Sequence, residues 1–235
     1  GLQNPAKLKM WGCKIYESNV LVHDYRPCLD PDGVACMYDE VNKKYVYNAG
    51  SGTFVAGDAV SGVNYVGYIQ SSGTQYINTD FVPNQNTRIV LEVEAAATSS
   101  TSSSKYMLGA RTSSSSNQFA LQTLASNYAG RYGTQEATIV SGSISGRYTI
   151  DLNKNVHTIN GITHTFNAET FTCPAPMSLF AMNNNGSGGY SPHDNMKLYS
   201  CKIYDDGVLV RYYKPCLDPD GVACLYDEVN AEYVY

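Results

Sequence analysis

The chain has 235 residues and a mass of 25.6 kDa, room for one large all-β domain or two smaller ones with a substantial core. Charged residues make up only 16%, well below the quarter or so usual in soluble domains; polarity comes from Asn, Ser, Thr, Gly and 20 Tyr, a mix that excludes a helical bundle. A net charge of −5 speaks against a nucleic-acid module, whose footprint is a basic stripe. In chain order, KIYESNVLV (14–22) predicts a hairpin about Glu17-Ser18-Asn19. LDPDG (29–33) reads as a turn in which Pro31 sets φ and Asp caps. VACMYD (34–39) and KYVYN (44–48) are two further strands, and RIVLEVEA (88–95) alternates as a half-buried strand does. YMLGA (106–110), FALQTL (119–124), RYTIDLN (147–153), VHTING (156–161), ITHTFN (162–167) and MSLFAMN (177–183) follow at the close spacing of a sandwich or barrel. TSSTSSS (98–104) and TSSSS (112–116) are exposed loops or hairpin tips. No amphipathic helix of ten residues and no apolar run of about 18 residues is legible, so membrane insertion is not expected.

An internal repeat dominates the chain. CKIYESNVLVHDYRPCLDPDGVACMYDEVNKKYVY (13–47) returns 188 residues later as CKIYDDGVLVRYYKPCLDPDGVACLYDEVNAEYVY (201–235), with 26 of 35 positions identical. In the second copy the turn Asp205-Asp206-Gly207 is a strong hairpin signal. Two copies separated by unrelated sequence imply a domain-sized period. Residues 1–57 are expected to be the closing strands of a preceding unit, 58–64 a linker, and 65–235 a unit lacking its last strand, NAGSGTFVAG, whose copy stands at 48–57. The N-terminus GLQNPAKLKMWG has no signal pattern but lies inside the repeat, so the chain reads as an excised fragment.

Seven cysteines, three per repeat plus Cys173, show no CxxC or Cys–His spacing. They read as small buried hydrophobes in strands, with a disulfide inside each repeat as the alternative. DPDG (30–33 and 218–221) resembles part of a calcium loop but lacks a third ligand in register, and a type I turn is the better reading. Calcium near Asp194 is the weaker alternative to no cofactor at all. Glycosidase chemistry needs two carboxylates facing each other across a cleft, whereas Glu92 and Glu94 share one strand face, where exposed-face solubility accounts for them, and the four histidines are scattered. The chain is therefore expected not to be an enzyme.

YIQSSGTQYINTDFVPNQNTRIVLEVE (68–94) resembles the opening strands of concanavalin A-like, or LamG-like, jelly-roll domains, which abound in phage tail proteins and surface proteins of gut bacteria. MLGARTSSSSNQFAL (107–121) resembles the family's next hairpin, CPAPMSLFAMNNNG (173–186) its strand before a glycine-rich loop, and 201–235 its closing strands. The resemblance implies an all-β, antiparallel two-sheet β-sandwich with an additional N-terminal β segment. Function is specified less well by such a likeness, since these sandwiches serve as lectins, glycanases, adhesion modules and spacers. Sugar recognition needs aromatic platforms plus Asn, Asp, Arg or Gln. ASNYAGRYGTQ (125–135) offers Tyr128, Arg131 and Tyr132; NNNGSGGYSPHD (183–194) offers Asn183, Asn184, Tyr190, His193 and Asp194, with Arg111, Asn117 and Gln118 beside a hairpin tip. The expectation is a non-catalytic module of a multi-domain surface or tail protein, extracellular or on a virion, that binds a glycan or cell-surface polysaccharide through these loops. The alternative is a structural repeat that pairs with neighbouring units, or with a second copy by strand exchange.

Overall fold

In the first of the chain's two compact units, which divide the sequence after residue 62, β1 (Cys13–Glu17), β2 (Val20–Leu29), β3 (Ala35–Asp39) and β4 (Lys44–Val46) pair consecutively into one antiparallel sheet. The structure, a computed structural model, describes residues 9–18, 20–56, 63–112 and 116–235. Asn19 of the expected hairpin tip and residues 58–62 of the expected linker lie outside these, while Asn64 already opens a strand. Residues 48–56, expected to supply a terminal strand, form none. Asn48 instead closes a turn there, its Oδ1 accepting from the Gly50 amide at 2.9 Å and its Nδ2 donating to the Gly52 carbonyl at 2.6 Å.

The second unit contains β5 (Asn64–Tyr65), β6 (Ile69–Ser72), β7 (Ile77–Asn78), β8 (Thr87–Glu94), β9 (Lys105–Arg111), β10 (Gln118–Leu124), β11 (Asn127–Gly133), β12 (Gln135–Ser141) and β13 (Tyr148–Asn153). Then come β14 (Val156–Ile159), β15 (Ile162–Thr165), β16 (Ser178–Leu179), β17 (Met182–Asn184), β18 (Ser187–Tyr190), β19 (Asp194–Asp205), β20 (Val208–Leu217), β21 (Ala223–Asp227) and β22 (Glu232–Val234). A back sheet runs β15-β14-β13-β8-β19-β20-β21-β22, with β6 beside β19 and β5 beside β20. A front sheet runs β12-β11-β10-β9-β16-β7, with β17 parallel to β9 and β18 paired to β17. Among the described residues there is no helix, and the unit is an all-β sandwich as the composition required.

Period-two alternation builds the core. On β8, Ile89, Leu91 and Val93 are fully buried while Arg88, Val90, Glu92 and Glu94 are half-buried on the other face. Ile150 and Leu152 of β13, Leu198, Cys201 and Ile203 of β19, and Leu108, Phe119, Leu121, Tyr128 and Tyr132 of the front sheet complete one cluster. Each buried aliphatic side chain contributes roughly 1.5–3 kcal/mol, so the interior fixes the register of both sheets. The turn Asp206-Gly207 joins β19 to β20 with φ of 45° and 85°, the two left-handed residues of a type I′ hairpin.

The two copies of the repeat keep the same hydrogen-bond plan. Asp39 Oδ2 takes the Nδ1 proton of His23 at 2.6 Å and the Asn42 amide at 2.7 Å. Asp227 Oδ2 takes the Asn230 amide at 2.6 Å, and Arg211 Nε lies 3.5 Å away. His23 and Arg211, which differ between the copies, thus serve the same buried carboxylate.

Candidate functional site

The segment 125–135, expected as a loop, is the hairpin β11–β12 with the turn before it. Strand alternation sends Tyr128, Gly130 and Tyr132 inward and Ala129 and Arg131 outward. Tyr128 is fully buried, its hydroxyl donating to the Ala95 carbonyl at 2.7 Å, its ring packed edge-on to Tyr148. Tyr132 is buried among Phe119, Phe166 and Phe171. Neither can present a platform to a sugar; both are core residues. Likewise 183–194 is largely strand: Asn185 and Gly186, with φ of 53° and 89°, turn β17 into β18. His193 is also no surface ligand. It is buried, its Nδ1 donates to the Asp194 carbonyl at 2.7 Å, and burial pushes its pKa down. Asn183 is buried too, its Oδ1 accepting from the Gly186 amide at 2.9 Å.

Arg131, Asn184 and Tyr190 are brought together on the outer face of the front sheet, with four residues that sequence reasoning did not single out as ligands: Tyr106, Gln122, Glu136 and Met182. Arg131 Nη2 pairs with Glu136 Oε2 at 2.7 Å, Nε donates to Gln122 Oε1 at 3.2 Å, and Nη1 donates to Gln118 Oε1 at 3.2 Å. Gln122 Nε2 closes the ring on Glu136 Oε1 at 2.6 Å. Beside it, Arg111 Nε donates to Asn184 Oδ1 at 3.0 Å, and its guanidinium lies over the rings of Tyr190 (4.9 Å) and Tyr106 (5.8 Å). Tyr106, Ala120 and Met182 form the apolar floor, and burial pushes the Tyr106 hydroxyl's pKa up. Arg111 and Arg131 are about nine-tenths buried, whereas Tyr190 is 44% exposed and the Glu136 side chain 41% exposed. The face thus offers one accessible aromatic ring, an accessible carboxylate, and guanidinium groups held rigidly by amides. Among the described residues Arg111 forms no ion pair with a carboxylate.

Asp194 lies apart from this cluster. With Gln70, Glu94, Ser99, Ser143 and Lys197 it lines a cleft of about 570 Å³ beside the back sheet. Lys197 Nζ donates to Glu94 Oε1 at 2.9 Å, and this hydrogen bond, with one from Tyr199, holds the Glu94 carboxyl below its ordinary pKa. Glu92 pairs with Arg147 at 2.5 Å, so both β8 carboxylates are engaged by cations. The first carboxylate of each DPDG is consumed locally. Asp218 Oδ1 accepts from the Asp220 and Val222 amides at 2.9 and 2.8 Å and Oδ2 from the Tyr235 hydroxyl at 2.6 Å. Asp30 does the same with Asp32, Val34 and Tyr47. Among the described residues no three His, Cys, Asp or Glu side chains converge as a metal ion would require.

Fold and site define the second unit as an antiparallel β-sandwich with a polar and aromatic cluster on one sheet face. No protein-family model and no curated protein matches the chain. Among solved structures it is similar to a mutant of Trypanosoma rangeli sialidase displaying trans-sialidase activity, with a TM-score of 0.38 and 9% identity over 60% of this chain. The matched part is 27% of that chain's length. The similar structure is an enzyme, and the sequence-based expectation that the present chain is not one is withdrawn on that finding. A likeness this distant carries no activity across.

Proposed function

We propose that the second unit is a concanavalin A-like recognition domain that binds glycans on the outer face of its front sheet. The observation that carries this reading is the cluster of Arg111, Arg131, Gln122, Glu136, Asn184 and Tyr190 on a single sheet face. A protein surface rarely places two nearly buried guanidinium groups where solubility alone is served. Rigid amide-held donors beside an exposed tyrosine ring are what a sugar's hydroxyls and apolar face require. Arg111, which pairs with no carboxylate among the described residues, favours an acidic sugar over a neutral one. Such a domain suits an extracellular surface protein or a phage tail. The test is a glycan array probed with the full chain, in calcium and in chelator. Sugar-specific signal, stronger for acidic glycans and lost in Tyr190→Ala, is expected; a blank across acidic and neutral glycans overturns the reading.

A second reading rests on the repeat. Met10 and Ile15 are 48% and 42% exposed, whereas their counterparts Leu198 and Ile203 are fully buried on β19. The first unit therefore displays a sheet face whose sequence twin is covered by a sandwich body, and we propose that a second copy of the chain covers it by strand exchange. Sedimentation of the full chain over a hundredfold concentration range is expected to show self-association that Ile15→Asp abolishes. A monomer throughout refutes it.

A further inference from the structure

We infer that each repeat carries a cross-strand disulfide, Cys28–Cys36 in the first unit and Cys216–Cys224 in the second. In both copies the two cysteines are directly opposed residues of an antiparallel pair, β2 with β3 and β20 with β21. Their Sγ atoms lie 3.4 Å apart in each copy, with both thiols in the reduced form. Directly opposed residues hold their Cβ atoms about 4.5–5.5 Å apart. The Asp30–Val34 and Asp218–Val222 bonds make the cysteines, two rungs along each ladder, hydrogen-bonded pairs, whose Cβ atoms lie at the wide end of that range, somewhat beyond the spacing of up to about 4.5 Å that a disulfide spans. Closing the sulfurs to a bond of about 2.05 Å then asks for side-chain rotation and a small approach of the strands.

The hairpin is set before any oxidation. LDPDGVA separates the cysteines identically in both copies, and the Asp30 and Asp218 amides donate to the Val34 and Val222 carbonyls at 3.0 and 2.9 Å. Nine positions changed between the copies, among them Met37 to Leu225 within the same strand, yet both cysteines recur. Packing as small hydrophobes explains a buried cysteine singly, but not two opposed pairs. The other three have no such arrangement. Cys13 and Cys201 face Tyr25 and Tyr213 across their ladders, and Cys173 Sγ donates to the Ala110 carbonyl at 3.5 Å.

The oxidant is a small-molecule disulfide such as oxidised glutathione. One protein thiolate attacks it, forming a mixed disulfide and releasing one glutathione. The opposed thiolate then attacks the protein sulfur of that mixed disulfide and expels the second glutathione. The two protein thiols give up two protons and two electrons, which end on two glutathione thiols. Burial pushes the Cys216 thiol up to about 12, and burial with its Cys36 partner pushes Cys28 to about 11. Thiolate is scarce in the folded protein at neutral pH, so the bonds form fastest while the chain folds. They would also suit the chain to an oxidising compartment.

The test is refolding of the full chain from urea in a glutathione redox buffer, then acid quench, alkylation under denaturing conditions, intact mass and peptide mapping. Three alkylated cysteines are expected, Cys13, Cys173 and Cys201, with linked peptides 28–36 and 216–224. Cys224→Ser should give four, Cys216 joining the labelled set. Seven alkylated cysteines, or bridges in any other pairing, overturn the inference. Five overturn it for whichever pair is found open.

Discussion

His157 is fully buried on β14, its ring 4.9 Å from Phe166, 5.5 Å from Phe119 and 6.2 Å from Tyr132. Burial pushes its pKa down to about 3, against about 6.5 in an unfolded chain. Between those values the unfolded state binds a proton that the folded state refuses. Stability is therefore complete above about pH 6.5 and falls as the pH drops, until about pH 3. Taking the two pKa values, the loss between pH 7.5 and pH 5 is about 2 kcal/mol. His193, also pushed down by burial, acts in the same direction, so the effect is isolated by difference. Hydrogen exchange of the β8 and β13 amides, corrected for intrinsic rates and read by mass spectrometry, reports the opening free energy of this unit alone. The wild type should lose about 2 kcal/mol more than His157→Leu over that pH interval. An equal pH slope in both proteins would falsify the assignment of this proton to His157.

Tyr128→Ala should cost about 3–5 kcal/mol because it empties a core site, whereas Tyr190→Ala should leave thermal stability nearly unchanged and lower glycan affinity at least about tenfold; thermal melts beside binding curves separate the two. Gly130→Ala places a methyl 2.6 Å from His157 Nδ1 and 2.8 Å from Ile139 Cδ1, so overpacking of about 1–3 kcal/mol is expected in urea unfolding. In the first unit, burial would raise the Asp39 pKa, but hydrogen bonds from His23, Asn42 and the Asp24 amide outweigh it and hold the carboxyl far below its ordinary value. That contribution is present above about pH 4 and lost as the pH falls below it. Asp39→Asn should speed amide exchange in residues 20–46 at pH 7 and flatten its acid dependence; an unchanged exchange profile would count against the network.

Strand alternation was legible where side chains are of contrasting type, as in RIVLEVEA, which the structure places at Thr87–Glu94 with alternating burial. It was hidden in NYAGRYG. There the inward set is Tyr128, Gly130 and Tyr132, and a glycine between two tyrosines has the composition of a loop. Gly130 is needed because His157 and Ile139 occupy the space a Cβ would take, a requirement set by two other strands, β14 and β12. The site was legible only in pieces for a similar reason. Arg131, Asn184 and Tyr190 stood out by type, but Gln122 and Glu136 are joined to Arg131 by cross-strand register, which no local spacing reveals. DPDG was readable throughout, since its geometry is made by its own residues.

The two copies of the repeat separate what sequence decides locally from what context decides. Both keep the carboxylate-capped DPDG turn, the buried Asp39 or Asp227 network and the opposed cysteines, all of which lie within the four repeated strands and their turns. The apolar face is different. Ile203 is covered because β8 flanks it within the sheet and front-sheet side chains share its core cluster, whereas Ile15, in almost the same local sequence, is 42% exposed. Local polar networks and a covalent staple can hold hairpins together with little core, as in small disulfide-rich domains. They leave the hydrophobic term of the first unit unspent. The same chain thus contains one sheet completed by a sandwich and one whose apolar Ile15 stays exposed, which is why self-association and cysteine pairing are properties to measure on the intact chain.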